Sequence, residues 1–319
     1  MRSKRRKYAR IPFILTNKIP LLKQITGIRF KFGFSRLSEK QTIFDGRFFW
    51  LSHFVELEDG DFSRQPMNVL SLLQKNLPSD LVQNPLPDTY SFLILTDPHI
   101  TQEDTRLFER LPNICIQSDA FLIINGDATR SGSPEQLDLL TDLIQYIPLP
   151  VYPVVGNHDI YFHRWSLWQK VMGKSIYRID SGTTTFFVLD SANGLFGSTQ
   201  LDWLEEQLKT VKTGSHLFIF SHCNFFIPRH MIFQQFYDFK DRSRFIKLCK
   251  GKVEAVFTGH SHKQYSHIAE GVPYINLEDF RDKGTYCRVH VSPKGFHCTY
   301  GSVADVPEYA IYSEFNKNK

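Results

Sequence analysis

Six short apolar runs, each closing on residues that can bind a metal, constrain this chain more than any other feature of its sequence. They are Phe92-Leu93-Ile94-Leu95 before Asp97, Phe121-Leu122-Ile123-Ile124 before Asp127, and Val151-Tyr152-Pro153-Val154-Val155 before Asn157. Then follow Phe186-Phe187-Val188-Leu189 before Asp190, Leu217-Phe218-Ile219-Phe220 before His222, and Val253-Glu254-Ala255-Val256-Phe257 before His260. Continuous apolar runs of this length predict strands buried on both faces. Helical stripes lie between them. Ser133 is placed to N-cap a helix that starts with Pro134 and carries Leu137, Leu140, Ile144 and Ile147 on one face. A second stripe begins at Thr199 with Leu201, Leu204, Leu208 and Val211. Strands alternating with helices predict a layered α/β domain, with central β-sheets flanked by helices. In such sheets ligands gather beyond the carboxyl ends of the strands, where every polar cluster here falls.

The rest of the chain reads differently. Residues 1–90 hold 15 Lys and Arg against 8 Asp and Glu, and the first 36 residues hold 11 basic side chains and no acidic one. We therefore expect a basic, aromatic-containing extension over 1–90, a catalytic domain over 91–300 and a tail over 301–319. Met1-Arg2-Ser3-Lys4-Arg5-Arg6-Lys7 looks like the basic start of a signal peptide, but Asn17 and Lys18 break the apolar stretch behind it. No stretch approaches the ~18 apolar residues of a spanning helix. The five cysteines include no C-x-x-C pair, which argues against a thiolate zinc site and a secreted disulfide framework. A cytoplasmic protein is expected, peripheral to an anionic membrane surface if residues 1–36 bind one. Outside its basic start the body is near neutral, which argues against nucleic acid as the partner.

Five clusters carry the chemistry: Thr96-Asp97-Pro98-His99, Asn125-Gly126-Asp127, Gly156-Asn157-His158-Asp159, Ser221-His222 and Gly259-His260-Ser261-His262. Any one alone reads as a helix cap or a turn. Together they offer imidazole nitrogens and carboxylate or amide oxygens without thiolates, a set suited to Mn, Fe, Zn or Ni. They outnumber the ligands of one tetrahedral ion, so two divalent metal ions are expected as cofactors. Two such ions about 3.5–4 Å apart can hold a bridging hydroxide for in-line attack on phosphorus. Gly126-Asp127 suits the bridging carboxylate. Alternation along an extended segment predicts that His260 and His262 serve one side and Ser261 the other.

The D-x-H, G-D, G-N-H-D, H and G-H-x-H blocks resemble, in order and spacing over about residues 91–300, the calcineurin-like metallophosphoesterase superfamily. The run from Gly126 to Gly132 and Gln200-Leu201-Asp202-Trp203-Leu204 are similar to the branch of cyclic-nucleotide phosphodiesterase-like phosphohydrolases. The resemblance implies that Asp97, His99 and His262 hold one metal and that Asn157, His222 and His260 hold the other. It implies that Asp127 bridges them and that His158 protonates the leaving oxygen or stabilises the transition state. One position departs. Where the phosphoprotein phosphatase branch has a second Asp that supports the catalytic His, this chain has Arg130. Support for His158 then comes from elsewhere, Asp159 among the candidates, or is absent.

Arg130 is a candidate for binding a substrate phosphate, with a solvated turn residue as the plain alternative. His230, which follows Arg229, is a second candidate for the substrate pocket. Cys223, Trp165 and Trp168 read as packing, and Asp190 as a cap or a support of the site. The expected activity is hydrolysis of a small phosphodiester or phosphomonoester by a metal-bridging hydroxide. A lipid-linked nucleotide pyrophosphohydrolase of the UDP-diacylglucosamine hydrolase type, working at a membrane through residues 1–36, is the alternative substrate class. A catalytically silent metal-bound scaffold is the alternative of another kind.

Overall fold

The computed structural model describes residues 85–173, 175–226 and 239–306. The expectations for the basic extension and for His230 therefore lie outside the described residues, apart from the last few positions before the first strand.

Two sheets face one another. The first has five strands in the order β11-β10-β1-β2-β3, formed by β1 (Tyr90–Leu95), β2 (Asp119–Asn125), β3 (Val151–Val154), β10 (Thr285–Ser292) and β11 (Gly295–Ser302). Strands β1, β2 and β3 run parallel, and β10 and β11 add an antiparallel hairpin against β1. The second sheet has six strands in the order β4-β5-β6-β7-β9-β8. These are β4 (Tyr177–Ser181), β5 (Thr184–Leu189), β6 (His216–Ser221), β7 (Ala255–Thr258), β8 (Tyr265–Ala269) and β9 (Val272–Asn276). Here β5, β6, β7 and β9 are parallel, with an antiparallel strand at each edge.

All six apolar runs fall on the parallel strands. The chemical reason is visible in the core between the sheets. Phe92 and Phe121 stack with ring centroids 4.7 Å apart, and Phe186, Phe218, Phe220 and Phe257 close around Phe92 edge-on. These rings belong to one buried cluster built from the inner faces of both sheets. Burying each one is worth about 1.5–3 kcal/mol, and the edge-to-face geometry adds to it. Helices cover the outer faces. On the first sheet lie α1 (Pro134–Ile144) and α2 (Trp165–Met172), packed over Leu93, Leu95, Leu122 and Ile124. On the second lie α3 (Ser198–Lys209) and α4 (Phe239–Cys249), packed over Phe187, Leu217 and Ile219. The layers run helix, sheet, sheet, helix, as the sequence predicts. Ser133 caps α1, its side chain accepting from the Gln136 N–H.

At the far ends of the strands a buried ion pair holds the first sheet. Asp119 accepts a bidentate pair from Arg288 Nε and Nη2 at 3.0 and 3.1 Å, and also accepts from Ser91 Oγ at 2.7 Å. This ties β1, β2 and β10 together where the rings end. No helix among the described residues is long and apolar enough to cross a membrane.

Candidate metal centre

Each predicted cluster sits at the carboxyl end of a parallel strand. Asp97 and His99 follow β1, Asp127 follows β2, Asn157 and His158 follow β3, His222 follows β6, and His260 and His262 follow β7. The two sheets thus aim five loops at one place. Three ligand sets form there: Asp97 with His99 and His262, Asp127 with His222 and His260, and His99 with Asp127 and His158. Within each set the ligand atoms lie inside 4.8 Å of one another.

The two carboxylates are built alike. Asp97 Oδ2 accepts from Thr96 Oγ1 at 2.7 Å and from the His260 N–H at 2.9 Å. Asp127 Oδ1 accepts from the His158 N–H at 2.8 Å. Each acid therefore has one oxygen tied to a neighbouring loop. The other two oxygens, Asp97 Oδ1 and Asp127 Oδ2, are buried and make no hydrogen bond, and His222 Nε2 is in the same condition. Around them the imidazoles converge. Asp127 Oδ2 lies 3.2 Å from His222 Nε2, 3.8 Å from His99 Nε2 and 3.9 Å from His158 Nε2. Asp97 Oδ1 lies 3.1 Å from His262 Nε2, 3.7 Å from His99 Nε2 and 4.0 Å from His222 Nε2. His99 and His262 face each other through Nε2 at 3.4 Å.

Such a concentration of buried lone pairs costs several kcal/mol unless positive charge lies among them. The electrostatics show the same demand. Burial raises the Asp127 carboxyl, but His222 and His158 outweigh it and hold the carboxyl well below its ordinary range. Burial also raises Asp97, and His262 and His222 reverse that. His222 is pushed up to about 9 against its burial, by the Asp127 and Asp97 carboxylates. His99 goes the other way, down to about 3, because burial outweighs the pull of Asp127. A cation among these atoms would relieve what a proton on His222 relieves otherwise, so the residues present fit a divalent metal pair.

The backbone bears the cost of aiming these side chains. Six described non-glycine residues have a left-handed φ, and five of them are Asp97, His99, Asp127, His260 and His262, at 53°, 47°, 50°, 67° and 55°. Each costs of order 1–3 kcal/mol and persists only where the surroundings impose it. For His260 and His262 this corrects the expectation of an extended segment. The G-H-x-H stretch is a bend in which both histidines take the left-handed conformation, and His260 and His262 join different ligand sets. Asn276 holds the bend, its Nδ2 donating to Ser261 Oγ at 2.8 Å and to Lys263 O at 2.7 Å. Two glycines are required by close approach. A Cβ on Gly126, which has φ +90°, would lie 2.3 Å from His222 Nδ1, and one on Gly259 would lie 1.9 Å from Thr96 Oγ1.

The tautomers follow from the partners. His222 Nδ1 lies 3.0 Å from the Asn125 carbonyl, and His158 Nδ1 lies 2.8 Å from the Arg130 carbonyl. A carbonyl oxygen only accepts, so both Nδ1 atoms carry protons and both Nε2 atoms turn inward. Asp159 does not support His158. Its carboxylate binds the loops: it accepts from Ala128 N at 3.3 Å, Thr129 N at 2.8 Å, Thr129 Oγ1 at 2.9 Å and Gly156 N at 2.9 Å. Burial, with the nearby Asp127 charge, pushes Asp159 up to about 7 despite those donors. Thr129 Oγ1 also accepts from Gly132 N at 3.0 Å, which accounts for the run from Gly126 to Gly132.

Arg130 is exposed, and its backbone carbonyl meets His158 Nδ1. His262 and His158 keep 19% and 10% of their side chains exposed while Asp97, Asp127 and His222 keep none, so the centre opens on the side of those two histidines. Asp190 organises its own loop rather than the centre, accepting from Ala192 N and Trp165 Nε1. Gln200 spans that loop, accepting from Asp190 N and donating to Asp190 O and Phe196 O. Cys223 is buried in the outer cluster of the second sheet. Reading the sequence missed Tyr161, whose ring lies 4.3 Å from that of His158, and Asp279, whose Oδ2 lies 4.0 Å from His262 Nδ1.

The family model described as calcineurin-like phosphoesterase matches residues 90–264. A probable cyclic nucleotide phosphodiesterase of Fibrobacter succinogenes is 30% identical over 165 residues, which are 50% of this chain and 60% of the relative. A 3′,5′-cyclic-nucleotide phosphodiesterase of Nostoc is 24% identical over 212 residues, 61% of this chain and 77% of the relative. Among solved structures, a purple acid phosphatase from yellow lupin seeds superposes with a TM-score of 0.58 at 14% identity, covering 70% of this chain and 53% of that one. A dimetal phosphatase from Danio rerio superposes with a TM-score of 0.53 at 14% identity, covering 69% of this chain and all of that one. At such identities these two structures speak for the fold.

Proposed function

The chain belongs to the calcineurin-like phosphoesterase family, and from that premise we propose that it is a di-metal phosphohydrolase acting on a small phosphodiester. The observation that carries this reading is the pairing of Asp97 Oδ1 and Asp127 Oδ2, buried and free of hydrogen bonds amid the Nε2 atoms of His99, His222 and His262. Asp97, His99 and His262 would hold one ion, and Asn157, His222 and His260 the other, with Asp127 between. When bound, the ions supply Lewis-acid neutralisation of phosphoryl charge and a water acidic enough to attack near neutral pH.

The chain's own residues do the rest. Asp97 and Asp127 each keep one oxygen fixed by a neighbouring loop, so the free oxygen cannot swing away. Held by the Arg130 carbonyl through Nδ1, His158 exchanges its proton at Nε2. It is placed to donate that proton to the leaving oxygen, on the side where the centre opens. The exposed Arg130 guanidinium is a candidate for gripping a phosphate oxygen from outside.

Resemblance of two relatives to cyclic-nucleotide phosphodiesterases favours a cyclic nucleotide as the diester. This chain spans about 60% of the first of them. The lipid-linked nucleotide and the anionic membrane rested on residues 1–36, outside the described residues. A generic aryl phosphodiester, offered to metal-free protein with and without added Mn²⁺, tests the reaction. Mn²⁺-dependent turnover that His158→Ala lowers by about 10²–10⁴-fold is expected. Metal uptake without turnover of any phosphate ester supports the silent scaffold instead.

A further inference from the structure

Tyr161 touches both Asn157 and His158. It lies on the 3-10 helix His158–His163, three positions after His158, the spacing at which side chains line up in a helix of three residues per turn, and Asn157 immediately precedes that helix. Its hydroxyl oxygen accepts a hydrogen bond from Asn157 Nδ2 at 3.1 Å. Its ring packs against the His158 imidazole at 4.3 Å between centroids, tilted by 39°. Tyr161 itself is 8% exposed, so both contacts are shielded from water.

The hydroxyl contact has a chemical consequence. A carboxamide carries its oxygen and its NH₂ on opposite edges, and only the oxygen ligates a hard or borderline cation. With Nδ2 committed to Tyr161, Oδ1 faces away from it. The opposite orientation would turn two N–H groups toward the site where a cation is to sit. The ring contact acts on the other residue. His158 is anchored at Nδ1 by the Arg130 carbonyl, and the Tyr161 ring limits its rotation about that anchor.

We propose that Tyr161 is a positioning residue of the metal centre, its hydroxyl setting the face that Asn157 turns to the metal and its ring setting the pose of His158. The inference rests on the roles given to Asn157 and His158 above. Groups that orient metal ligands commonly change metal affinity by 10–100-fold when removed.

Calorimetric titration of metal-free protein with Mn²⁺ tests it without reference to turnover. Tyr161→Phe keeps the ring and removes the hydroxyl. It should weaken one of two Mn²⁺-binding events by about tenfold and leave the other within twofold of the original protein. Asn157→Ala should weaken the same event, and adding Tyr161→Phe to it should change nothing more, because the hydroxyl acts through the amide. Tyr161→Leu, which removes the ring as well, should slow esters with poor leaving groups more than esters with good ones. Metal-free melting curves of all variants identify any that fail to fold, and the double variant then reads the coupling. If Tyr161→Phe leaves both events unchanged while Asn157→Ala weakens one, the inference about Tyr161 falls and the role of Asn157 stands. If Asn157→Ala also leaves both unchanged, the assignment of Asn157 as a ligand falls with it.

Discussion

The backbone carbonyl of Arg130 lies 2.8 Å from Nδ1 of His158. The position where a related branch of the fold carries a supporting Asp thus supplies the support through its main chain. A neutral carbonyl fixes the same tautomer that a carboxylate would, without adding a negative charge to a centre that already buries Asp97 and Asp127. The Arg130 side chain is left exposed and available for another task.

Arg130→Ala separates the two roles. The carbonyl survives this substitution, so bound metal, kcat and its pH profile should stay within about twofold of the original protein. KM for a small diester should rise several-fold if the guanidinium grips the phosphate, in line with about 1 kcal/mol or more for a charge-assisted hydrogen bond. Steady-state kinetics checks this. An unchanged KM removes Arg130 from the substrate site, and a collapsed kcat would mean that the side chain, not the carbonyl, supports His158.

Asp159 acts as a clamp between two loops. Asp159→Asn keeps the shape but replaces one acceptor oxygen with an NH₂ that must face backbone N–H donors. Unfolding free energy of the metal-free protein should fall by about 1–3 kcal/mol. Denaturant titration in the presence of a chelator measures it. A loss below the resolution of the method would mean that water or a shifted loop replaces the carboxylate at no cost.

The metal-free protein should lose stability as pH rises from 6.5, the ordinary value for histidine, toward 9. His222 is pushed up to about 9, so its proton stabilises the fold fully below pH 6.5, and that stabilisation is lost as pH rises through about 9. His99 is held down to about 3, so it stays neutral in the fold while the unfolded chain takes up a proton, which costs stability as pH drops below 6.5; Asp159, pushed up to about 7, takes up its proton in the fold before the unfolded chain does and offsets that loss over the same range. Metal displaces the proton from His222, so Mn²⁺ should abolish the alkaline decline. Melting temperatures from pH 6.5 to 9, with chelator and with Mn²⁺, check this decline. A metal-free melting temperature that is flat or rising between pH 6.5 and 9 contradicts the account.

The parallel strands were legible because both their faces are buried, which forces unbroken apolar runs such as Phe218-Ile219-Phe220. The antiparallel edges were not. In β10 the buried residues Cys287, Val289 and Val291 alternate with half-buried Arg288 and His290, and no single apolar run announces the strand. The ligand clusters were legible because their side chains are chemically unusual at strand ends. What holds them was not: the Arg130 support is a carbonyl, which every residue possesses, and the bend at His260 and His262 depends on positive φ angles that remain uncommon for histidine and are imposed by surrounding contacts. Tyr161 did leave a signal, its spacing of three from His158, but that spacing means something only once the segment is known to be a 3-10 helix.

In the proposed reaction Asp127 would stand between two metal ions that carry out phosphoester hydrolysis. Metal analysis of the purified protein and of Asp127→Asn, beside turnover of an aryl phosphodiester, addresses it most directly. Two equivalents of divalent metal per chain are expected in the original protein when Mn²⁺ is supplied, and loss of metal together with turnover in Asp127→Asn, since a neutral amide bridges two cations poorly. Two equivalents of metal and full turnover in Asp127→Asn would contradict it.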